Sequence, residues 1–184
     1  PGVAMSAMTL RDALEASAQL DAGITYLEGD GEPLRLTYGT ILQRALRVLG
    51  ELQRRGLEPG ANVVLLLDGN PQLVDAFWAC QLGGLVAGPL AVGGTDEHQL
   101  KTFNVLDQLD TPTLVTQGRN PERLWEYARR KGVFPDYEAA FATELNVSQM
   151  AAEGRLGTPY DSAPEATAAL QFSSGSTGTP KGVM

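Results

Sequence analysis

Residues 62–90 read NVVLLLDGNPQLVDAFWACQLGGLVAGPL, and this stretch decides the fold. Residues 62–67 form an apolar run without alternation, which is typical of a parallel strand covered on both faces. Asn70-Pro71 marks the start of a helix that we expect to run to Gln81, and residues 85–90 form the next strand. A strand, a crossover helix and a strand of these lengths predict a right-handed βαβ unit. The side chains expected to be buried in this unit are those of Val64, Leu66, Leu73, Val74, Phe77 and Trp78.

Patterns of short strands and helices continue on both sides of this unit. Before it we expect a helix in residues 6–20 capped by Ser6 or Thr9, a hairpin of residues 24–27 and 34–36, and a helix capped by Thr37. After it we expect helices at 97–109, 122–131, 136–141 and 148–152, and strands at 113–116 and 166–172. This alternation predicts a layered α/β fold with a mostly parallel sheet and flanking helices. No second domain is indicated within residues 1–184.

Three reactive or charged side chains are interpreted as having no catalytic or metal-binding role. Arg44 belongs to the polar stripe of its helix and is expected to face water. His98, the only histidine, is expected to be solvated, and no Cys or carboxylate cluster near it suggests a metal site. Cys80, the only cysteine, lies in the central helix and is interpreted as a buried small hydrophobe. The sequence therefore predicts neither a metal site nor a cysteine nucleophile.

Composition limits the partners and the compartment. The net charge of −8 and the pI near 4.6 argue against a general nucleic-acid or anionic-membrane surface. No apolar run reaches membrane-spanning length and no signal peptide opens the sequence. A single cysteine cannot form an internal disulfide. We therefore expect a cytoplasmic protein that binds neither nucleic acid nor membrane.

The last stretch, residues 170–184, reads LQFSSGSTGTPKGVM. Its segment 173–182 holds three glycines, five hydroxyl side chains, one proline, one lysine and no acid. Glycines allow the backbone to approach a ligand, while N–H groups, hydroxyls and a lysine bind phosphate oxygens. The segment differs from a Walker A motif, because Pro180 stands where that motif has glycine and Lys181 is followed by Gly182. A flexible Gly/Ser/Thr linker is the alternative, but a linker needs neither Pro-Lys-Gly nor a preceding strand.

Residues 173–183, SSGSTGTPKGV, resemble the nucleotide phosphate loop of the acyl-adenylate-forming superfamily. That superfamily includes acyl-CoA synthetases, fatty acyl-AMP ligases, luciferases and the adenylation domains of nonribosomal peptide synthetases. Leu36-Thr37-Tyr38 resembles the first signature of the superfamily, and residues 81–90 resemble the second. With three signatures in order, the resemblance extends over most of the chain.

The resemblance implies an enzyme that joins a carboxylic acid to ATP, releases pyrophosphate, and transfers the acyl group to a thiol of an acyl carrier protein or CoA. By the matching positions, the triphosphate cradle consists of Ser173, Ser174, Gly175, Ser176, Thr177, Gly178, Thr179, Pro180 and Lys181. The acidic ligand of Mg²⁺ and the catalytic lysine of the family lie downstream, so no catalytic or metal-binding residue is expected here. Residues 1–184 are then the N-terminal part of an AMP-binding adenylation domain, inactive without the rest of the polypeptide.

One departure from the family pattern concerns the substrate. Amino-acid-activating domains usually follow the second signature with Asp-Pro, whereas residues 90–95 here read LAVGGT. The segments that follow, residues 100–106 and 112–116, resemble domains that load acyl or other carboxylic acids onto polyketide or hybrid assembly lines. The alternative from another class is a stand-alone, non-catalytic α/β module that binds a nucleotide or a partner protein and retains the loop as a relic.

Overall fold

The computed structural model describes residues 8–27, 29, 31–109, 111–132, 145–173 and 181–183. The helices in these ranges are α1 (Leu10–Ser17), α2 (Tyr38–Arg54), α3 (Asn70–Gly83), α4 (Asp96–Gln108), α5 (Asn120–Lys131) and α6 (Val147–Glu153). The strands are β1 (Gly23–Tyr26), β2 (Leu34–Thr37), β3 (Asn62–Leu66), β4 (Val86–Pro89), β5 (Thr113–Thr116), β6 (Gln171–Ser173) and β7 (Lys181–Val183). The helix predicted at 136–141 lies outside the described residues. No helix among the described residues is long and apolar enough to cross a membrane.

The central sheet is parallel and has the strand order β4-β3-β5. Val63 of β3 lies opposite Ala87 of β4 and Thr113 of β5. Helix α3 connects β3 to β4, as the sequence predicts for a βαβ unit. Val64 and Leu66 are buried, also as predicted.

Helices cover both faces of this sheet, because alternate side chains of a strand point to opposite faces. Val63 and Leu65 pack into the cluster that contains the buried residues of α2 and α3. Val64 and Leu66 pack into a second cluster with residues of α4 and α5. The layered α/β fold predicted from the alternation of elements is therefore confirmed.

The helix caps and the hairpin that the sequence predicts before the βαβ unit are present in the structure. The hydroxyl of Thr9 accepts from the N–H of Asp12 at the start of α1, and Thr37 caps α2 by accepting from the N–H of Thr40 at 3.1 Å. The alternative cap, Ser6, lies outside the described residues. Strands β1 and β2 pair as the predicted antiparallel hairpin.

The prediction that Leu73, Val74, Phe77 and Trp78 are buried is wrong, since all four side chains are only partly buried. The buried face of α3 instead contains small residues, including Ala76, Ala79 and Cys80. Small side chains let α3 lie close to its neighbours, which leaves the two large rings at the border of the contact.

Arg44 does not face water as predicted. Its guanidinium binds the carboxylate of Asp75 in α3, with Nη2–Oδ2 at 2.6 Å and Nε–Oδ1 at 3.0 Å. The Asp75 side chain is 1% exposed and the Arg44 side chain 22%. A buried carboxylate needs a paired charge, which is why Arg44 turns toward α3.

The buried strand predicted at 166–172 is also wrong in extent. Only Gln171–Ser173 is a strand, and Ala169 forms a single parallel bridge with Ala87 before it. Residues 163–167 are exposed. Their small and polar side chains offer little apolar surface to bury, so the segment meets the sheet through backbone hydrogen bonds instead.

Candidate functional site

Strands β6 and β7 form an antiparallel hairpin whose register pairs Ser173 with Lys181. These are the first and last residues of the predicted phosphate cradle. The structure therefore brings the backbones of the two ends of the cradle together. The seven residues between them, Ser174, Gly175, Ser176, Thr177, Gly178, Thr179 and Pro180, lie outside the described residues. The binding role of all nine residues stays a prediction.

The hairpin is joined to the central sheet at Ala87 of β4. The N–H of Ala87 donates to the carbonyl of Ala168 at 3.2 Å, and the N–H of Leu170 donates to the carbonyl of Ala87 at 2.8 Å. The bridge between Ala87 and Ala169 is parallel, so the chain entering β6 runs in the direction of β4. Ser173 consequently lies toward the edge where β3, β4 and β5 have their carboxyl ends. Open α/β sheets bind their ligands at this edge.

Phe172, directly before the predicted cradle, packs against the cluster formed by α4, α5 and their side of the sheet. A Cβ atom at Gly88 of β4 would lie 3.3 Å from Cε2 of Phe172. The absence of a side chain at Gly88 thus gives the ring room beside the strand. The side chain of Phe172, directly before the cradle, is therefore packed against the sheet.

The loop of residues 90–95 lies at the same edge, because it follows β4. Its position depends on α4: Nε2 of Gln99 donates to the carbonyl of Gly93 at 2.8 Å, and Nδ1 of His98 lies 2.6 Å from Oγ1 of Thr95. The prediction that His98 is solvated is wrong, since the ring is half-buried against Gly93. The Gly-rich loop leaves space that the imidazole fills.

Two other groups bear on the chemistry that this chain can do. Cys80 is buried, and the loss of hydration raises the pKa of its thiol to about 12, so it is no nucleophile at neutral pH. In the part of the chain that the structure describes, no group of three or more His, Cys, Asp or Glu residues is placed to hold a metal ion.

Sequence reasoning missed Gln81 as an individual residue and treated it only as the first position of the second signature. Its side chain is buried in α3, and Nε2 donates to the carbonyl of Ala168 at 3.0 Å. A polar residue in a helix of mainly apolar and small residues was the available signal. The partner, 87 positions away in the chain, had no such signal.

Comparison with known proteins gives consistent matches. The model of the family described as "AMP-binding enzyme" matches residues 14–184. The chain is 32% identical over 190 residues to the long-chain-fatty-acid–AMP ligase FadD28 of Mycobacterium tuberculosis (strain ATCC 25618 / H37Rv), an alignment that covers 98% of this chain and 31% of the ligase.

Solved structures show the same similarity. The structure of McyG A-PCP complexed with phenylalanyl-adenylate matches with a TM-score of 0.84 and 28% identity, over 98% of this chain and 33% of that one. The adenylation domain of a keto acid-selecting NRPS module bound to keto acyl adenylate matches with a TM-score of 0.83 and 27% identity, over 99% of this chain and 33% of that one. The chain thus spans about a third of the length of these relatives.

Proposed function

This chain belongs to the AMP-binding enzyme family of adenylate-forming ligases, and from that membership we propose that it is the N-terminal part of an ATP-dependent carboxylic acid ligase. The complete enzyme attaches a carboxylate to the α-phosphate of ATP and releases pyrophosphate. It then passes the acyl group to a thiol. In this proposal residues 1–184 end at the phosphate-binding loop, and the rest of the polypeptide supplies the remaining machinery.

The observation that carries the proposal is the pairing of Ser173 with Lys181 near the carboxyl edge of the parallel sheet. Attack of a carboxylate on the α-phosphate requires that the departing pyrophosphate be held in place and its charge be stabilised. A glycine- and hydroxyl-rich loop, with both ends fixed at the edge where such sheets bind ligands, supports that role.

We assign roles to the loop residues as follows. The hydroxyls and N–H groups of residues 173–179 donate to oxygens of the β- and γ-phosphates, since both kinds of group are effective phosphate donors. Lys181 adds a compact positive charge, and Pro180 restricts the backbone before it. These contacts bind and orient ATP, and they stabilise pyrophosphate as it leaves.

Mg²⁺ bound with ATP would neutralise part of the phosphate charge. The loop contains no acid, so its donor set suits an anion and not a hard cation, which prefers carboxylate oxygens. We therefore assign the metal ligand and the catalytic lysine to the remainder of the polypeptide.

The acid and its acceptor are the finer parts of the proposal. Residues 90–95 lack the Asp-Pro pair of amino-acid-activating domains. By their names, one relative acts on a fatty acid and another binds a keto acyl adenylate, whereas a third is complexed with phenylalanyl-adenylate, so the choice of substrate class rests on residues 90–95. We propose a carboxylic acid without an α-amino group as substrate, and a carrier-protein phosphopantetheine or CoA as acceptor. A cytoplasmic location follows from the supply of ATP and these acceptors.

The test is ATP–pyrophosphate exchange by the complete protein with a panel of fatty, keto, aryl and amino acids. We expect exchange that depends on one class of acid without an amino group. The 184-residue chain alone is the matched control, and we expect it to give none, because it lacks the acid pocket and the catalytic lysine. Acid-dependent exchange by the 184-residue chain, or exchange with amino acids only, would contradict the corresponding part of the proposal.

A further inference from the structure

Gln81 makes a long-range contact that the family assignment does not explain. It lies in the last turns of α3, its side chain is 6% exposed, and its Nε2 donates to the carbonyl of Ala168 at 3.0 Å. We propose that Gln81 is a positioning residue for the triphosphate cradle, acting through the segment that leads into β6. This inference rests on the proposed function.

The contact lies close to the cradle along the chain. The carbonyl of Ala168 receives two donors, Nε2 of Gln81 and the N–H of Ala87. Strand β6 begins three residues later, at Gln171, and the predicted cradle begins at Ser173. Over so few residues, a displacement at Ala168 is passed on to the neck of the hairpin.

Part of the segment that leads into β6 lies at the surface, beside a cavity. Residues 163–167 are exposed, and a cavity of about 270 Å³ lies between the segment, the start of α1 and the end of α3. Gln81, Ala168 and Thr167 are among the residues that line it. Hydrogen bonds at Ala168 and Leu170 join the segment to Gln81 and Ala87, and so they help to determine its position.

The energetics favour a specific role for the amide. A buried amide must be hydrogen-bonded, and Gln81 directs its donor at a carbonyl that Ala87 already serves. Gln81→Met keeps the approximate volume and removes the donor. The net value of one such bond predicts that the KM for ATP rises about two- to tenfold. The KM for the acid should stay within about twofold, because the proposed function assigns the cradle to ATP and the acid pocket to the rest of the polypeptide.

The experiment compares Gln81→Met with Gln53→Met in the complete protein. Gln53 is the matched control because it holds another loop in the same way: Nε2 donates to the carbonyl of Thr158 at 2.8 Å, and Oε1 accepts from its N–H at 2.9 Å. The KM for ATP and for the acid are measured by pyrophosphate exchange. Hydrogen exchange of residues 168–173 is measured by mass spectrometry as a readout independent of activity.

We expect Gln81→Met, and not Gln53→Met, to raise the KM for ATP selectively and to speed hydrogen exchange in residues 168–173. Equal effects of the two variants, or an equal rise in the KM for ATP and acid, would overturn the inference. If Gln81→Met does not fold, Gln81→Asn, whose amide is one methylene too short to reach Ala168, takes its place. If the unmodified protein shows no ATP–pyrophosphate exchange, the proposed function is refuted. The rate of amide hydrogen exchange in residues 168–173 would still decide whether Gln81 holds the segment.

Discussion

Replacing Asp75 by alanine should destabilise this protein more than most single substitutions. The carboxylate is 1% exposed and receives three contacts from Arg44: Nη2–Oδ2 at 2.6 Å, Nε–Oδ1 at 3.0 Å and Nε–Oδ2 at 3.1 Å. Asp75→Ala leaves the guanidinium of Arg44, whose side chain is 22% exposed, without its partner between α2 and α3. Breaking a buried ion pair costs about 3–5 kcal/mol. Since Arg44 keeps some contact with water, we expect about 3 kcal/mol.

Two further variants separate the charge from the packing. The double variant Arg44→Met/Asp75→Leu removes both charges and fills the space with apolar side chains. We therefore expect its free energy of unfolding to lie within about 1 kcal/mol of that of the unmodified protein. Glu97→Ala breaks the i,i+4 pair of Glu97 with Lys101, in which Glu97 is 75% exposed, and should leave the free energy of unfolding close to that of the unmodified protein.

The assay is urea denaturation of the purified protein followed by circular dichroism, with the free energy of unfolding taken from the midpoint and slope. If Asp75→Ala lowers the free energy of unfolding by less than about 1 kcal/mol, the ion pair with Arg44 does not stabilise the protein as argued. A double variant as unstable as the single one would show that packing, and not the unpaired charge, causes the loss.

Two other predictions follow from single residues. Cys80, whose thiol pKa is raised to about 12 by burial, should not react with a disulfide reagent at pH 8 until the protein is denatured, and rapid reaction in the native state would show that α3 is accessible. The pKa of Asp12 is lowered, first by the hydrogen bond from the N–H of Thr9 and then by that from the Thr9 hydroxyl, so its stabilising effect is present at neutral pH and lost as the pH falls below about 4. The difference in Tm between the unmodified protein and Asp12→Asn should therefore shrink on acidification, and a difference independent of pH would contradict this.

Local signals predicted much of the fold. The caps Thr9 and Thr37 act on donors three residues away, and the apolar run in β3 has no alternation because both faces of the strand are covered. Such features depend on neighbouring residues only, so they can be recognised in the sequence.

Contacts between distant residues could not be predicted in this way. Arg44 and Asp75 are 31 positions apart, and each looks like an ordinary polar residue of its helix. The same holds for Phe77 and Trp78: their size suggested burial, but the side of α3 that is buried depends on how closely α2 approaches. The packing of α2 against α3 determines both the Arg44–Asp75 ion pair and the exposure of the two rings. Such packing leaves no local pattern in the sequence.

For the candidate site, too, the residue types could be predicted from the sequence and the tertiary contacts could not. The composition of residues 173–182 predicted an anion-binding loop, since the chemistry resides in the residue types themselves. Its attachment to β4 at Ala87, and the donor that Gln81 adds at Ala168, are tertiary contacts. These contacts place Ser173, the first residue of the loop, toward the edge of the sheet, and no spacing in the sequence indicates them.

The most direct test of the phosphate-cradle assignment is Lys181→Ala in the complete protein, assayed by acid-dependent ATP–pyrophosphate exchange with the preferred acid. One charge-assisted contact is worth about 1.5–3 kcal/mol, so the rate should fall about ten- to a hundredfold while the Tm is unchanged. Lys101→Ala, which removes a partly exposed lysine paired with Glu97 on α4, is the matched control and should exchange at the unmodified rate. A Lys181→Ala protein that exchanges as fast as the unmodified one, under conditions in which exchange is limited by the chemical step, would contradict the assignment.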